Sequence, residues 1–181
     1  MASKVLSSKY ISEHPYFRAR IDSYQTESGK IVDPYYVVEL PPSVVVMGIT
    51  VDQEVILVKQ YRHPIHEELL ELPGGFIDEG ESPHVAARRE MMEETGYEFD
   101  HFHYLGMSAA NPGVLNNFSH FFLATGGRKT SGQTLDHNEE IEVIRMPVED
   151  VRVKLFHQEF RQSLHALCLF YGFEYLSRSE H

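Results

Sequence analysis

The chain has 181 residues, a formal net charge of −11 at pH 7 and one cysteine, Cys168. Its length suits one domain, or one domain with a short accessory element. The acidic balance argues against general binding to nucleic acid or to anionic membranes, because phosphate groups attract basic protein faces. A lone cysteine forms no intrachain disulfide, and the first residues lack the apolar core of a secretory signal. We therefore expect a cytoplasmic protein without a transmembrane segment.

In chain order, the alternating segments 17–22 and 35–40 predict a β-hairpin at the N-terminal end. The continuous apolar runs 43–51 and 54–62 predict two buried strands of a central sheet. Further strands are predicted at 102–108, 117–124 and 141–147, and two helices near 148–157 and 159–177. The resulting order of strands and helices predicts an α/β fold.

The last predicted helix carries one apolar stripe, which we expect to face the core. Its members are Leu164, Leu167, Cys168, Tyr171 and Tyr175. Of the eleven histidines, the pairs His63/His66 and His101/His103 could suggest zinc, but no third ligand stands at suitable spacing. We expect the histidines to face solvent.

A short helix is predicted between Ser82 and Gly96. Ser82 can cap its first turn, Pro83 suits the first helical position, and Gly96 can adopt the left-handed conformation that ends a helix. At about 100° per residue, one side of this helix is apolar and the other is acidic. The apolar side consists of Val85, Ala87, Met91 and Met92.

The acidic side of this helix carries Glu90, Glu93 and Glu94, together with Arg89. A solvated helix face usually pairs each glutamate with a cation four residues on, whereas Glu90 faces Glu94 at that spacing and the pair repels. Such carboxylates suit hard divalent cations, which prefer oxygen ligands. The pattern therefore favours a metal site over an ordinary acidic surface.

The spacing of these residues resembles the Nudix box of Nudix hydrolases. Its fixed positions are occupied by Gly75, Glu81, Arg89, Glu90, Glu93, Glu94 and Gly96, and Tyr97 stands where an aliphatic residue is usual. The segments VKQYRHP at 58–64 and LELPGG at 70–75 are similar to ADP-ribose pyrophosphatases and related nucleoside diphosphate sugar hydrolases. Pro112, sixteen residues after Gly96, matches a marker of that subgroup, although Asn116 and Asn117 stand where an acidic residue often follows.

The resemblance implies the Nudix fold, a mixed β-sheet sandwiched between helices, for residues 42–181. Residues 1–41 would form an N-terminal β-hairpin extension that makes a homodimer and binds the base. Two or more Mg²⁺ or Mn²⁺ ions would be held by the Gly74 carbonyl and by Glu90, Glu93 and Glu94. Arg89 would orient Glu81 or another carboxylate. The general base would come from Glu139 or Glu140, with Glu139 slightly favoured.

The same resemblance implies a set of substrate-binding residues. Arg62 would contact the diphosphate, and alternation along its strand would turn Glu71 toward the same cleft. Aromatic residues before the core would stack on the base, although aromatics in strands are more often simple packing. The complete expected set is Arg62, Glu71, Pro112, Gly113, Tyr16, Phe17, Tyr35 and Tyr36.

The expected function is a metal-dependent pyrophosphohydrolase acting on ADP-ribose or a nucleoside diphosphate sugar. It would release a nucleoside monophosphate and a sugar phosphate. One alternative is a Nudix hydrolase of dinucleoside polyphosphates, capped RNA or damaged nucleotides, which Pro112 and the 70–75 segment disfavour. Another is a sensor that binds a nucleotide sugar without turnover, which would not need the repulsion between the helix carboxylates.

Overall fold

The computed structural model describes residues 3–14, 17–135, 137 and 139–179. The chain divides into two compact units. The first unit comprises residues 1–41 together with 109–118, and the second comprises residues 42–108 together with 119–181. The first unit is therefore made from two separate stretches of the sequence.

The first unit is a three-stranded antiparallel sheet of β1 (Lys4–His14), β2 (Phe17–Gln25) and β3 (Ile31–Glu39). The predicted hairpin is present as β2 and β3. Its turn is closed by a hydrogen bond from Thr26 N to the Lys30 carbonyl. Strand β1 was not predicted, because its residues are almost all exposed and so lack a buried apolar face.

The second unit contains a seven-stranded mixed sheet. Its strands are β4 (Ser43–Thr50), β5 (Glu54–Arg62), β6 (Glu67–Glu71), β7 (Tyr97–Glu98), β8 (His101–Ser108), β9 (Ser119–Lys129) and β10 (Ile141–Pro147). The order is β10-β5-β4-β9-β7, with β6 paired to β5 and β8 to β9. Strands β4 and β9 are parallel, and the other pairs are antiparallel. The helices are α1 (Pro83–Thr95), α2 (Val148–Phe156) and α3 (Ser163–Ser179).

Helices cover both faces of this sheet, which is why β4 reads as a continuous apolar run. Val44 and Val46 pack with Ala87 and Met91 of α1 on one face. The alternate residues of β4, including Met47, pack on the other face with residues of α2 and α3. The predicted sandwich of a mixed sheet between helices is confirmed. Within the described ranges, no helix combines the length and apolarity needed to cross a membrane.

The predicted apolar stripe of α3 was partly wrong. Tyr171 and Tyr175 are 44% and 37% exposed, whereas Leu169 and Phe173 are buried beside Cys168. The helix also begins at Ser163 and not near residue 159. Two contacts account for the later start: Phe160 packs into the core ahead of the helix, and the Gln162 side chain accepts a hydrogen bond from Leu164 N at 2.9 Å.

The expectation of solvent-facing histidines was wrong for His165 of α3. This side chain is buried in the second unit, on the same helix face as Cys168 and Leu169. A histidine between apolar residues of a helix gives no periodicity signal of its own, so the sequence pattern did not reveal its burial.

Candidate active site

Helix α1 begins and ends at the predicted caps. Ser82 Oγ accepts a hydrogen bond from Val85 N at 3.3 Å, and Pro83 occupies the first helical position. Gly96 has φ +72°, and its N–H donates to the Met92 carbonyl at 2.8 Å. These caps fix which residues of the helix meet the sheet.

The expected apolar side of α1 was wrong at Val85, which is 54% exposed. Ala86, Ala87 and Met91 pack on the sheet instead. The helix is rotated far enough that Glu90 and Glu94 are also buried. Two of the three carboxylates of the acidic face are therefore removed from bulk water.

Arg89 is the centre of a carboxylate cluster. Its Nε and Nη2 donate to the two oxygens of Glu81 at 3.0 and 2.9 Å. Its Nη1 donates to Glu90 at 2.9 Å and to Glu93 at 3.0 Å, and Nη2 also donates to the Phe76 carbonyl at 3.0 Å. All five guanidinium N–H groups are thereby occupied, so Arg89 orients carboxylates and has no donor left for a substrate.

The buried carboxylates of α1 resist ionisation. Burial raises the pKa of Glu90 to about 7, although Arg89 opposes the shift. Burial raises the pKa of Glu94 to about 8, opposed by the hydrogen bond that its carboxylate accepts from Gly74 N at 2.9 Å. The charge of Glu139 raises both pKa values further. A cation bound here would offset this concentration of negative charge.

Gly74 and Gly75 allow the main chain to pass close to these carboxylates. A Cβ atom at Gly74 would collide with the Val44 carbonyl, and one at Gly75 would collide with the carboxylate of Glu90. The backbone is held there by a hydrogen bond from Val44 N to the Gly75 carbonyl at 2.9 Å. No other residue type could occupy these positions without moving the site.

The donor set fits a hard divalent cation, because it consists of carboxylates with raised pKa values beside an open main chain. As arranged, no three ligand side chains among the described residues converge on one point. Glu90 and Glu93 face Arg89, and Glu94 faces Gly74 N. Coordination would therefore require these carboxylates to turn toward the ion.

The Arg62 guanidinium lies at the end of β5. Its Nε donates to Glu71 at 3.1 Å, and its Nη2 donates to the second oxygen of the same carboxylate at 2.5 Å. The expectation that Glu71 itself faces the cleft was wrong, because Glu71 is fully buried. Burial alternates along β6, where Leu69 and Glu71 are buried and Leu70 between them is half-buried, so Glu71 lies on the side of the strand opposite to the expected one.

These groups surround one cavity of about 510 Å³. Its wall includes Arg62, Gly74, Glu90, Glu93, Glu94 and Glu139. Glu140 is exposed and does not contribute to that wall. Of the two candidate bases, only Glu139 therefore lies with the helix carboxylates.

The segment that carries Glu139 is fixed by two residues that were not predicted, Gln133 and Thr134. Thr134 N donates to the Glu93 carbonyl at 2.8 Å, and Gln133 Nε2 donates to the Glu94 carbonyl at 2.8 Å. The last carbonyls of any helix need outside donors, which is the only signal that could have pointed to them. Thr134 also lines the cavity.

The remaining expected substrate residues belong to the first unit. Phe17 and Tyr36 are exposed, and the Tyr35 hydroxyl donates to the Gly113 carbonyl at 2.7 Å. Pro112 is also exposed. Tyr16 lies outside the described residues.

Asn116 and Asn117 stabilise the backbone of the first unit. Asn116 Oδ1 accepts from Leu40 N at 3.0 Å, and Asn117 Nδ2 donates to the Pro41 carbonyl at 3.0 Å. Their amide groups thus make structural contacts at positions where the related subgroup often has an acidic residue. Asn116 acts here as an acceptor and Asn117 as a donor.

Two protein-family models match the chain. The NUDIX domain matches residues 39–167, and the nucleoside diphosphate sugar hydrolase N-terminal domain matches residues 4–38. The two matches together cover most of the sequence and meet near the end of β3.

Similar proteins include relatives with different names. A methanol dehydrogenase activator from Bacillus methanolicus is 30% identical over 152 residues, which are 81% of this chain and 82% of the relative. An ADP-ribose pyrophosphatase from Bacillus subtilis (strain 168) is 31% identical over 141 residues, which are 70% of this chain and 76% of the relative. The crystal structure of an ADP compounds hydrolase matches with a TM-score of 0.86 over 99% of this chain and 96% of its own. At 22% sequence identity, that likeness supports the fold alone.

Proposed function

Because the chain belongs to the NUDIX domain family, we propose that it is a metal-dependent pyrophosphohydrolase of ADP-ribose or another nucleoside diphosphate sugar. It is a hydrolase of diphosphate bonds, and its products would be a nucleoside monophosphate and a sugar phosphate. The observation that carries the proposal is a cavity whose lining brings together the helix carboxylates and Arg62.

The carboxylates that line the cavity suit the cations of a metal–diphosphate complex, and Arg62 suits its diphosphate. Glu90, Glu93, Glu94 and the Gly74 carbonyl would hold two or more Mg²⁺ or Mn²⁺ ions. When bound, these ions supply positive charge to the diphosphate and lower the pKa of a bound water. Arg62 would donate to phosphate oxygens and align the diphosphate with the ions.

Glu139 is the proposed general base. It lines the cavity, and its charge acts on the pKa values of Glu90 and Glu94, so it lies near the proposed metal ligands. It would accept the proton of the attacking water as the water oxygen bonds to phosphorus and the bridging oxygen leaves with the other phosphate. Arg89 would keep Glu81 in place, and it would hold Glu90 and Glu93 beside the cavity until they turn toward the ions.

We propose that the first unit binds the base and forms a homodimer. Its match to the nucleoside diphosphate sugar hydrolase N-terminal domain supports a role in nucleotide-sugar recognition. Its sheet carries exposed apolar side chains, including Val5, Ile11, Phe17 and Tyr36, which a second copy could cover. Sedimentation that shows a fully active monomer at micromolar concentration would overturn the dimer.

The proposed setting is the reducing cytoplasm. Cys168 is buried, and burial raises the pKa of its thiol to about 12. A thiol of this kind is a small core side chain with little reactivity toward oxidants. The support for this setting is that one cysteine can form no disulfide within the chain.

Hydrolysis of a substrate panel tests the proposed function. The panel contains ADP-ribose, GDP-mannose, UDP-glucose, diadenosine polyphosphates and nucleoside triphosphates, each with Mg²⁺ or Mn²⁺, and products are separated chromatographically. We expect a nucleoside monophosphate and a sugar phosphate from at least one of the first three substrates. A clear preference for the polyphosphates would favour another Nudix activity, and tight binding of a nucleotide sugar without turnover would favour a sensor.

A further inference from the structure

A buried histidine of α3 contacts the strand end behind the proposed diphosphate site. His165 is 6% exposed, and its Nδ1 accepts a hydrogen bond from Leu72 N at 3.0 Å. Leu72 is itself buried, so this bond satisfies a main-chain donor that has no access to water. The histidine thus has a defined partner in the segment that connects β6 to Gly74.

The bond also defines the protonation state of the ring. Burial lowers the pKa of His165 to about 4, so the imidazole is neutral at neutral pH. A neutral ring that accepts at Nδ1 carries its proton on Nε2. Glu71 and Arg62 are its charged neighbours, with opposite effects on its pKa.

The peptide group that His165 holds is the one between Glu71 and Leu72. A peptide group is planar, so fixing the N–H of Leu72 also fixes the direction in which the chain leaves Glu71. The Glu71 carboxylate is fully buried and holds Arg62 through a two-point contact. One hydrogen bond, one peptide group and one two-point ion pair therefore connect α3 to a guanidinium in the cavity wall.

Arg62 retains the donors that an anion needs. Glu71 accepts from Nε and Nη2, which uses two of the five guanidinium N–H groups. In the part of the chain that the structure describes, the other three donate to no protein acceptor, and the side chain is 40% exposed. Arg62 and His165 also share the wall of a neighbouring cavity of about 200 Å³. Because Arg62 borders two cavities, its guanidinium needs a fixed contact to keep one orientation.

We propose that His165 is a positioning residue for diphosphate binding, which acts through the Glu71–Leu72 peptide and Glu71 to hold Arg62 toward the acidic cavity. This inference rests on the proposed function, because it gives Arg62 the diphosphate as its ligand. Its effect falls on substrate affinity and not on proton transfer, since His165 touches neither the substrate nor the helix carboxylates.

Two polar substitutions separate positioning from general packing. In His165→Asn, the amide oxygen lies near the place of Nδ1 and can still accept from Leu72 N. In His165→Gln, the amide lies one carbon farther out and cannot accept there without moving. We expect His165→Asn to keep KM within about twofold of wild type and His165→Gln to raise KM at least tenfold, with kcat changed less than about threefold. His101→Gln, on the exposed start of β8, is the matched control.

A double-mutant cycle tests whether His165 acts through Arg62. We expect His165→Gln to raise KM by less than twofold when Arg62 is already lysine, because the two-point contact with Glu71 is already broken. Equal increases in KM in both backgrounds would show an independent structural effect and overturn the proposal. Equal KM values for His165→Asn and His165→Gln would also overturn it.

Binding of α,β-methylene-ADP, measured calorimetrically with Mg²⁺, gives a readout that does not depend on turnover. We expect at least tenfold weaker binding for His165→Gln and near wild-type binding for His165→Asn. If wild type binds the probe but hydrolyses no nucleotide sugar, the proposed function fails and the positioning role is still tested by this difference. If wild type neither binds nor hydrolyses, both proposals fail.

Discussion

The two arginines of the acidic cavity have opposite surroundings. Arg89 gives all five of its donors to Glu81, Glu90, Glu93 and a carbonyl, whereas Arg62 is held by one buried carboxylate. Arg89 therefore organises negative charge on the α1 side, and Arg62 offers positive charge from the β5 side. A cavity lined by both groups suits the proposed binding of cations by the α1 carboxylates and of phosphate by Arg62.

The largest expected effect is that of replacing the Glu94 carboxylate of α1 by a neutral amide. We expect Glu94→Gln to lower kcat about a thousandfold with Mg²⁺, because a proposed ligand carboxylate is lost. The amide oxygen can still accept from Gly74 N, so the fold should persist. Hydrolysis of ADP-ribose measures the effect, and Glu98→Gln, at the exposed residue of β7, is the matched control.

Thermal unfolding without metal distinguishes this loss from misfolding. The native pKa of Glu94 is raised to about 8, so its ionisation costs the native state stability as pH rises from about 4.5 through 8. Glu94→Gln removes that cost and should unfold at least as high as wild type at pH 9. A lower melting temperature at that pH would contradict the burial argument.

The next effect concerns the base that completes the acidic wall. We expect Glu139→Gln to lower kcat about a hundredfold and Glu140→Gln to stay within about twofold of wild type. The reason is that Glu139 lines the cavity and Glu140 does not. Steady-state kinetics at several pH values measure the difference. Wild-type kcat in both variants would contradict a general base at either position. A larger loss of kcat in Glu140→Gln than in Glu139→Gln would assign the base to Glu140.

A smaller effect is expected on the β5 side. Arg62→Lys keeps the charge but loses the fork that meets both oxygens of Glu71. We expect KM to rise about tenfold, the cost of about one charge-assisted hydrogen bond, while calorimetric Mg²⁺ affinity is unchanged. Arg128 pairs with the exposed Asp100, so Arg128→Lys controls for the effect of replacing any arginine by lysine. A large loss of Mg²⁺ affinity would mean that Arg62 also affects metal binding by the α1 carboxylates.

The last expected effect is on stability and not on activity. The native pKa of His165 is lowered to about 4 from about 6.5, so its contribution is fully present above pH 6.5 and is lost as pH falls toward 4. Between pH 7 and pH 5 this loss is about 2 kcal/mol. Urea unfolding should show a smaller decrease over that interval for His165→Asn than for wild type. Parallel pH dependences would mean that His165 is not buried as a neutral ring.

The features that were predicted correctly depend on residues that lie close together along the chain. Ser82 and Gly96 mark the ends of α1 because capping depends on residues within one turn. The runs that form β4 and β5 are recognisable because both faces of the sheet are covered. The spacing from Gly75 to Gly96 likewise needs only local order to bring its glutamates to one helix face.

The features that were missed depend on partners that the local sequence pattern does not identify. Glu71 is buried against Arg62, nine positions earlier on the neighbouring strand β5. His165 is buried because Leu72, 93 positions away, supplies its donor. The anchoring of Gln133 to the end of α1 also joins distant segments. Each is a polar contact between two residues, and neither residue alone indicates which partner it binds.

The first unit is discontinuous in sequence, and this limits how the protein can be re-engineered. Val114 O accepts from Val38 N at 2.8 Å, and the amides of Asn116 and Asn117 bond to the chain at 40 and 41. A shortened chain that begins at residue 42 would lose all of these partners and leave the β8–β9 connection without support. A chimera that exchanges recognition modules between relatives therefore has to transplant residues 1–41 and 109–118 together.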